Sequence, residues 1–131
     1  MKPSKARWRT ALSKRLRGQI WEVDLEPQTH KEEPGKRGRP ALVIQTDALN
    51  GAGHPTTIVV MGTTQVRRDK DFFPLRVALV NQTGMKQDTD LLIDQIRAIS
   101  NKRFMGTKPL ATLSTNHLKR VEEALKLLTG R

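Results

Sequence analysis

The run Pro40-Ala41-Leu42-Val43-Ile44 limits what this chain can fold into more than any other stretch. Four apolar residues in succession form a segment that a strand buries on both faces. Pro40 has no N–H and a fixed φ, so it belongs at the first residue or the edge of that strand. The pattern predicts a strand over 40–46. It leaves Arg39 on the last residue before rigid backbone, at the end of a charged loop. A cation anchored there is held in place, ready for an anion.

Similar runs lie on both sides. Over Gln19–Leu25, Trp21, Val23 and Leu25 alternate with Glu22 and Asp24, the pattern of a half-buried strand. Gly18 opens it and Pro27 ends it. Residues 26–38 read as a polar loop, long for a hairpin, and long loops in compact domains often carry function. A turn cluster, Asn50-Gly51-Ala52-Gly53-His54-Pro55, precedes a third strand predicted over 56–65 that turns polar at its end. The charged turn Arg67–Asp71 leads to a fourth strand over 75–80, and Asn81–Gly84 is another turn. The apolar spacing of Leu91–Ile99 fits a helix or a strand; after four strands with short turns it reads as a fifth strand. Residues 101–104 read as a single helical turn. Residues 107–113 read as a short last strand, placed at an edge by Pro109. Ser114 is a suitable N-cap for a helix over 115–128, with Leu118, Val121, Leu125 and Leu128 on one face and Gly130 closing its end. The fold class predicted is mostly β, on the all-β/α+β border: a small barrel of five to six short strands with a C-terminal α-helix.

Composition narrows the function. At 131 residues the chain reads as one domain, over 18–131, behind a basic extension over 1–17. There is no cysteine, and His30, His54 and His117 are far apart, so neither a disulfide framework nor a zinc site is expected. No apolar run approaches the roughly 18 residues of a membrane span, and no secretory signal follows the basic start. The expectation is a soluble cytoplasmic protein with no membrane role. The net charge of +11 points to a polyanionic partner. Much of it sits in Lys2, Lys5, Arg7, Arg9, Lys14, Arg15 and Arg17, with no acid before Gly18, so the body is only mildly basic. Trp8, Leu12 and Leu16 share a helical face, which fits a segment touching nucleic acid or a membrane surface; the plainer reading is a loose terminal tail with no role.

No Walker loop, nucleophile elbow or metal-spaced histidine cluster is present. What remains is polar residues at the ends of apolar strands. If the second and third strands pair antiparallel, Arg39 and Thr63 become neighbours. Asp94-Gln95 interrupts the fifth apolar run, and His30, Glu32 and Glu33 hang from the loop that leads into Arg39.

The ordered set Arg17-Gly18-Gln19-Ile20-Trp21-Glu22-Val23-Asp24-Leu25-Glu26-Pro27, Gly38-Arg39-Pro40-Ala41-Leu42-Val43-Ile44-Gln45, Pro55 to Gln65, and Asp94-Gln95-Ile96-Arg97-Ala98-Ile99 resembles the MazF/PemK toxins of bacterial type II toxin–antitoxin systems. The resemblance runs over roughly residues 17–129 in the family's order. It implies an SH3-like barrel that forms a homodimer and cuts single-stranded RNA at short sequences. It also implies no metal and no cofactor, with 2′,3′-cyclic phosphate and 5′-hydroxyl products. The implied second partner is a cognate antitoxin that lays an acidic, flexible tail across the toxin dimer. The family's Arg-Pro arginine falls on Arg39, and its strand-closing threonine on Thr63, with Thr64 one register away. Its acidic-Gln pair falls on Asp94 and Gln95. The first loop departs from the pattern: many relatives carry Gly-His-Glu-Gln where this chain reads Thr29-His30-Lys31-Glu32-Glu33-Pro34, so Glu32 and Glu33 compete for one position.

The chemistry agrees with the resemblance. RNA carries its own nucleophile, so an enzyme need only hold the sugar in line and stabilise charge on the phosphate. Arg39 can offer two parallel N–H donors and Thr63 a hydroxyl. An arginine is a poor general base; His30 and Glu33 are the candidates for proton transfer. Glu32, Gln65, Arg67, Arg68, Asp94 and Gln95 are candidates for binding RNA. Each also has a plain structural role: Arg39 pairing with Glu32 or Glu33, Thr63 as an ordinary strand residue, Arg67, Arg68 and Lys70 as a solvated turn. Two other functions fit the same barrel. An inhibitor of DNA gyrase would use the end of the C-terminal helix, where Lys126–Arg131 offers no aromatic anchor. A non-catalytic nucleic-acid module would use stacking platforms, which 4% aromatic content and no tyrosine supply poorly.

Overall fold

The computed structural model describes residues 15–25, 38–67 and 75–130. Six strands form one antiparallel sheet: β1 (Gln19–Asp24), β2 (Gly38–Val43), β3 (Thr56–Thr63), β4 (Arg76–Leu79), β5 (Thr89–Ser100) and β6 (Ala111–Thr112). Their spatial order is β4-β5-β3-β2-β1-β6, and the sheet curls into a half-barrel. A short helix, α1 (Asp47–Gly51), lies between β2 and β3, and α2 (Thr115–Leu128) ends the fold.

Period-2 alternation divides the core in two. Ile20 lies opposite Leu42, and Leu42 opposite Val60. With Val77, Leu79, Leu91 and Ile93 they form one buried cluster, onto which α2 packs Val121 and Ala124. The other face carries Trp21, Val23, Ala41, Val43, Val59, Met61 and Ile99, with Leu25 and Phe104 against them. Phe104 meets Trp21 edge-on, at 5.9 Å between ring centroids.

β5 is two half-strands joined by a bulge. Ile96 pairs with Val60 but Leu91 pairs with Gly62, so Leu92, Ile93, Asp94 and Gln95 stand against Met61 alone. Extra residues in one strand of a pair bend it and sharpen its twist. Burial switches within the bulge: Thr89–Ile93 is buried, Asp94–Ala98 is exposed and only Ile99 turns inward.

Several local details differ from the pattern reading. β2 begins at Gly38 instead of Pro40, because β1 pairs with it as far as Asp24↔Gly38. Arg39 is therefore inside the strand. The segment after β2 is a helical turn: the Thr46 hydroxyl accepts the Ala48 N–H. Beneath it, Gln45 Nε2 donates to Asn50 Oδ1 at 2.9 Å and Asn50 Nδ2 returns a bond to the Gln45 carbonyl. The ambiguous fifth run is a strand, and longer than its apolar stretch. The last strand is only two residues long, paired with β1 at the sheet edge. On α2 the Ser114 hydroxyl accepts the His117 N–H at 3.1 Å, as expected of an N-cap. The buried stripe centres on Val121 and Ala124, with Leu125 and Leu128 partly packed and Leu118 half-buried. Gly130 adopts φ +84 just past the helix. Among the described residues, no helix is long and apolar enough to cross a membrane.

Residues 15–17 join the body of the fold. Arg17 donates from Nη2 to Glu122 Oε2 at 2.7 Å and from Nε to the Ile44 carbonyl, and its N–H reaches Asp47.

Candidate active site

The proline that opens the apolar run also fixes the arginine before it. In the β2–β3 ladder, Ile44 N–H donates to the Ile58 carbonyl at 3.1 Å. Hydrogen-bonded pairs in an antiparallel ladder recur every second residue, so Leu42/Val60 and then Pro40/Gly62 belong to the same class. Pro40 has no N–H to give. The Gly62 carbonyl is left without its ladder donor, and Arg39 Nη2 takes its place at 3.0 Å. A main-chain carbonyl is a fixed acceptor. It pins one corner of the guanidinium and leaves four other N–H donors for a ligand.

Arg39 lies opposite Val23 on β1. Carrying the Ala41↔Met61 register two residues further sets it opposite Thr63. The neighbour relation expected from strand order is therefore met. By alternation, Arg39 and Thr63 share the sheet face that bears Trp21, Val23, Ala41 and Met61. Thr63 is half-buried, and its Oγ1 accepts the Gln65 N–H at 3.1 Å as β3 ends.

Two further arginines occupy this face. Arg97 lies opposite Val59. Burial, and then the nearby charge of Arg97, lower the Arg39 guanidinium pKa from its ordinary value. Both effects penalise the cation, and an anion bound between the two would relieve both. Arg15 lies over the Phe104 ring, 4.7 Å from its centroid, and over Trp21 at 5.9 Å. Burial lowers its pKa as well. Among the described residues, no carboxylate forms an ion pair with Arg15, Arg39 or Arg97. The face is an apolar floor with cations standing on it.

The remaining predicted residues separate into groups. Gln65 and Arg67 follow β3 and are exposed. They are held through their backbones: Arg76 Nη1 donates to the Gln65 carbonyl at 3.2 Å, and Arg67 N–H donates to Asp90 Oδ2 at 3.0 Å. Asp90, 1% exposed, also pairs with Arg76 at 2.8 Å. Asp94 and Gln95 are exposed in the β5 bulge, opposite Met61. His30, Glu32, Glu33 and Arg68 lie outside the described residues. Thr64, the register alternative, opens onto the opposite face of the sheet, where it lines a cleft. His54 is exposed, and its carbonyl accepts from Asn101 Nδ2 at 2.8 Å.

Sequence reasoning missed Arg15, Arg97 and Asp90. Arg97 stands two residues from the inward Ile99, and that spacing alone could have put both on one face. Nothing local marked Asp90, because its partners Arg67 and Arg76 are brought to it by the sheet. Arg15 was read as part of the tail.

A curled antiparallel half-barrel with a C-terminal helix and a cationic face defines a small β protein with a basic candidate site. The family of PemK-like, MazF-like toxins of type II toxin–antitoxin systems matches residues 16–129, and this chain belongs to that family. It is 33% identical over 116 residues to endoribonuclease MazF9 of Mycobacterium tuberculosis, covering 85% of this chain and 92% of the relative. The crystal structure of MazF from Deinococcus radiodurans has a TM-score of 0.66 at 25% identity, covering 88% of this chain and 96% of that one. A mycobacterial endoribonuclease in complex with its cognate antitoxin has a TM-score of 0.64 at 20% identity, over 88% and 92% of the two chains; that likeness bears on the fold.

Proposed function

We propose that this chain is the toxin of a type II toxin–antitoxin pair, a sequence-specific endoribonuclease that cuts single-stranded RNA in the cytoplasm without a metal. The observation that carries this reading is the Arg39 guanidinium, tied to the Gly62 carbonyl opposite Pro40, beside Thr63 and close to a second arginine.

The RNA 2′-hydroxyl attacks the adjacent phosphorus, the P–O5′ bond breaks, and a 2′,3′-cyclic phosphate and a 5′-hydroxyl leave. Negative charge builds on the non-bridging oxygens. Arg39 meets it with fixed N–H donors, which lose little entropy because the side chain is already anchored. Thr63 adds its hydroxyl, and Arg97 adds charge from across β3. The proton leaving the 2′-hydroxyl and the one arriving at O5′ are assigned to His30 and Glu33 of the first loop. Gln65 and Arg67, beyond the end of β3, and Asp94 and Gln95, in the β5 bulge, contact the RNA; Glu32 and Arg68 are assigned the same binding role.

The homologous relative is named an endoribonuclease, and structural neighbours include toxins solved with their antitoxins. A cognate antitoxin with an acidic, flexible segment would complement the Arg15–Arg39–Arg97 face and compete with RNA for it. The working form is a homodimer. The reading is tested by incubating the chain with mixed-sequence single-stranded RNA in excess EDTA and mapping both product ends. Cyclic-phosphate and 5′-hydroxyl ends are expected; RNA left intact at high enzyme, with no antitoxin present, overturns it.

A further inference from the structure

The end of the sheet that carries Arg39 has a second side. β2 starts at Gly38 and β3 stops at Thr63, so both strand ends meet at one rim. Arg39 and Thr63 face one way there, and Pro40 and Thr64 the other. On that other side lies a cleft of about 240 Å³, walled by Glu22, Pro40, Thr64, Met85, Lys86 and Gln87. It holds apolar surface from Pro40 and Met85, one carboxylate, one ammonium and one carboxamide.

The carboxylate is placed, not loose. Glu22 lies opposite Pro40 in the β1–β2 register. Its side chain lies flat against Gly38, where any Cβ would collide with the carboxylate. Among the described residues, no ion pair or side-chain hydrogen bond engages that carboxylate. An acid held open in a basic protein does not suit a phosphate. It suits a group that donates N–H: carboxylates read the amino edges of bases, and apolar walls take a base's faces. Thr64, Lys86 and Gln87 supply the complementary donors for ring nitrogens and carbonyls.

We propose that this cleft binds the nucleobase next to the scissile phosphate, that it selects a base carrying an exocyclic amino group, and that Glu22 is the residue that selects it. The proposal rests on the endoribonuclease reading above. Arg39 and Pro40, and Thr63 and Thr64, are consecutive residues at the strand ends, so the two faces border the same rim. The phosphate sits at Arg39 and Thr63, and the base turns over the rim into the cleft. Uracil fits worst, because its single ring N–H is flanked by two carbonyls that meet the carboxylate unfavourably. The consecutive threonines then divide the work, Thr63 on the phosphate side and Thr64 on the base side.

Two experiments test this. First, a randomised single-stranded RNA pool is cut by wild type and by Glu22→Gln, and the product ends are sequenced. At one position beside the cut, wild type should favour amino-bearing bases, and Glu22→Gln should shift that preference toward uracil by about tenfold. Preferences at the other positions should hold. An unchanged profile overturns the proposal. Should Glu22→Gln fail to fold, Gln87→Ala must relax the same position, and its failure to do so is equally fatal. Second, the four ribonucleoside monophosphates are titrated into the full chain while the amide NMR signals of Gly38, Met85 and Gln87 are followed. Shifts with AMP, CMP or GMP that exceed those with UMP support the cleft; equal shifts, or none, overturn it. The NMR titration does not depend on cleavage. RNA left uncut with selective nucleotide shifts would defeat the enzymatic reading and keep the base site.

Discussion

The two faces of this sheet are built from the same strands by the same alternation, yet they differ in what stands on them. The face with Ile20, Leu42, Val60 and Leu91 is closed by α2 through Val121 and Ala124. The face with Trp21, Val23, Ala41 and Met61 is just as dry at its floor, with Trp21 1% exposed. But it bears Arg15, Arg39 and Arg97 where the first bears a helix. A buried apolar floor beneath cations lowers the local dielectric, which strengthens their pull on an anion and raises the cost of leaving them unpaired. The contrast is between a face that stabilises and a face that stores electrostatic potential for a ligand.

That contrast can be broken from either side. Leu42→Ala on the helix face should cost about 2–5 kcal/mol of stability, read as a lower midpoint in urea. Cleavage per folded molecule should stay at the wild-type rate; a selective loss of activity would mean that the faces are not separable. Asp90→Asn removes the charge that holds Arg76 and the Arg67 backbone. Breaking a buried pair costs up to about 3–5 kcal/mol, and both stability and RNA affinity should fall, since Gln65 and Arg67 lose their support. Unaltered affinity in a stably folded variant would remove those two residues from the binding surface. Arg97→Gln should slow cleavage about tenfold, some 1.4 kcal/mol of transition-state stabilisation, while the melting temperature holds or rises as like-charge repulsion is relieved. A slower enzyme that is also less stable would assign Arg97 a structural role. The smallest effect expected is that of deleting residues 1–14, which removes Lys2, Lys5, Arg7, Arg9 and Lys14. RNA binding should weaken and its salt dependence flatten; an unchanged slope would show that the tail does not touch RNA.

Much of the fold was legible because it rests on local rules. Alternation in 19–25, the apolar run after Pro40 and the Ser114 cap each specify a strand or a helix without help from elsewhere. What was not legible depends on pairs brought together by the sheet. The bulge over Leu92–Gln95 is a change of register inside the β3–β5 ladder, between Val60↔Ile96 and Gly62↔Leu91. No window of sequence carries that information. Strand order was enough to join Arg39 to Thr63, but not to show why proline follows the arginine. Pro40 was read as the strand's boundary. In the folded sheet it lies within β2, and its missing N–H leaves a carbonyl that Arg39 occupies.

The proposed chemistry therefore turns on one side chain and its anchor. The most direct test is Arg39→Ala, assayed on single-stranded RNA together with its melting temperature. Loss of one fixed anion donor should reduce cleavage about 100-fold or more, with only a modest fall in melting temperature, since the Gly62 carbonyl loses one hydrogen bond while the apolar floor stays intact. A variant that cuts RNA at the wild-type rate would contradict the claim that Arg39 holds the scissile phosphate.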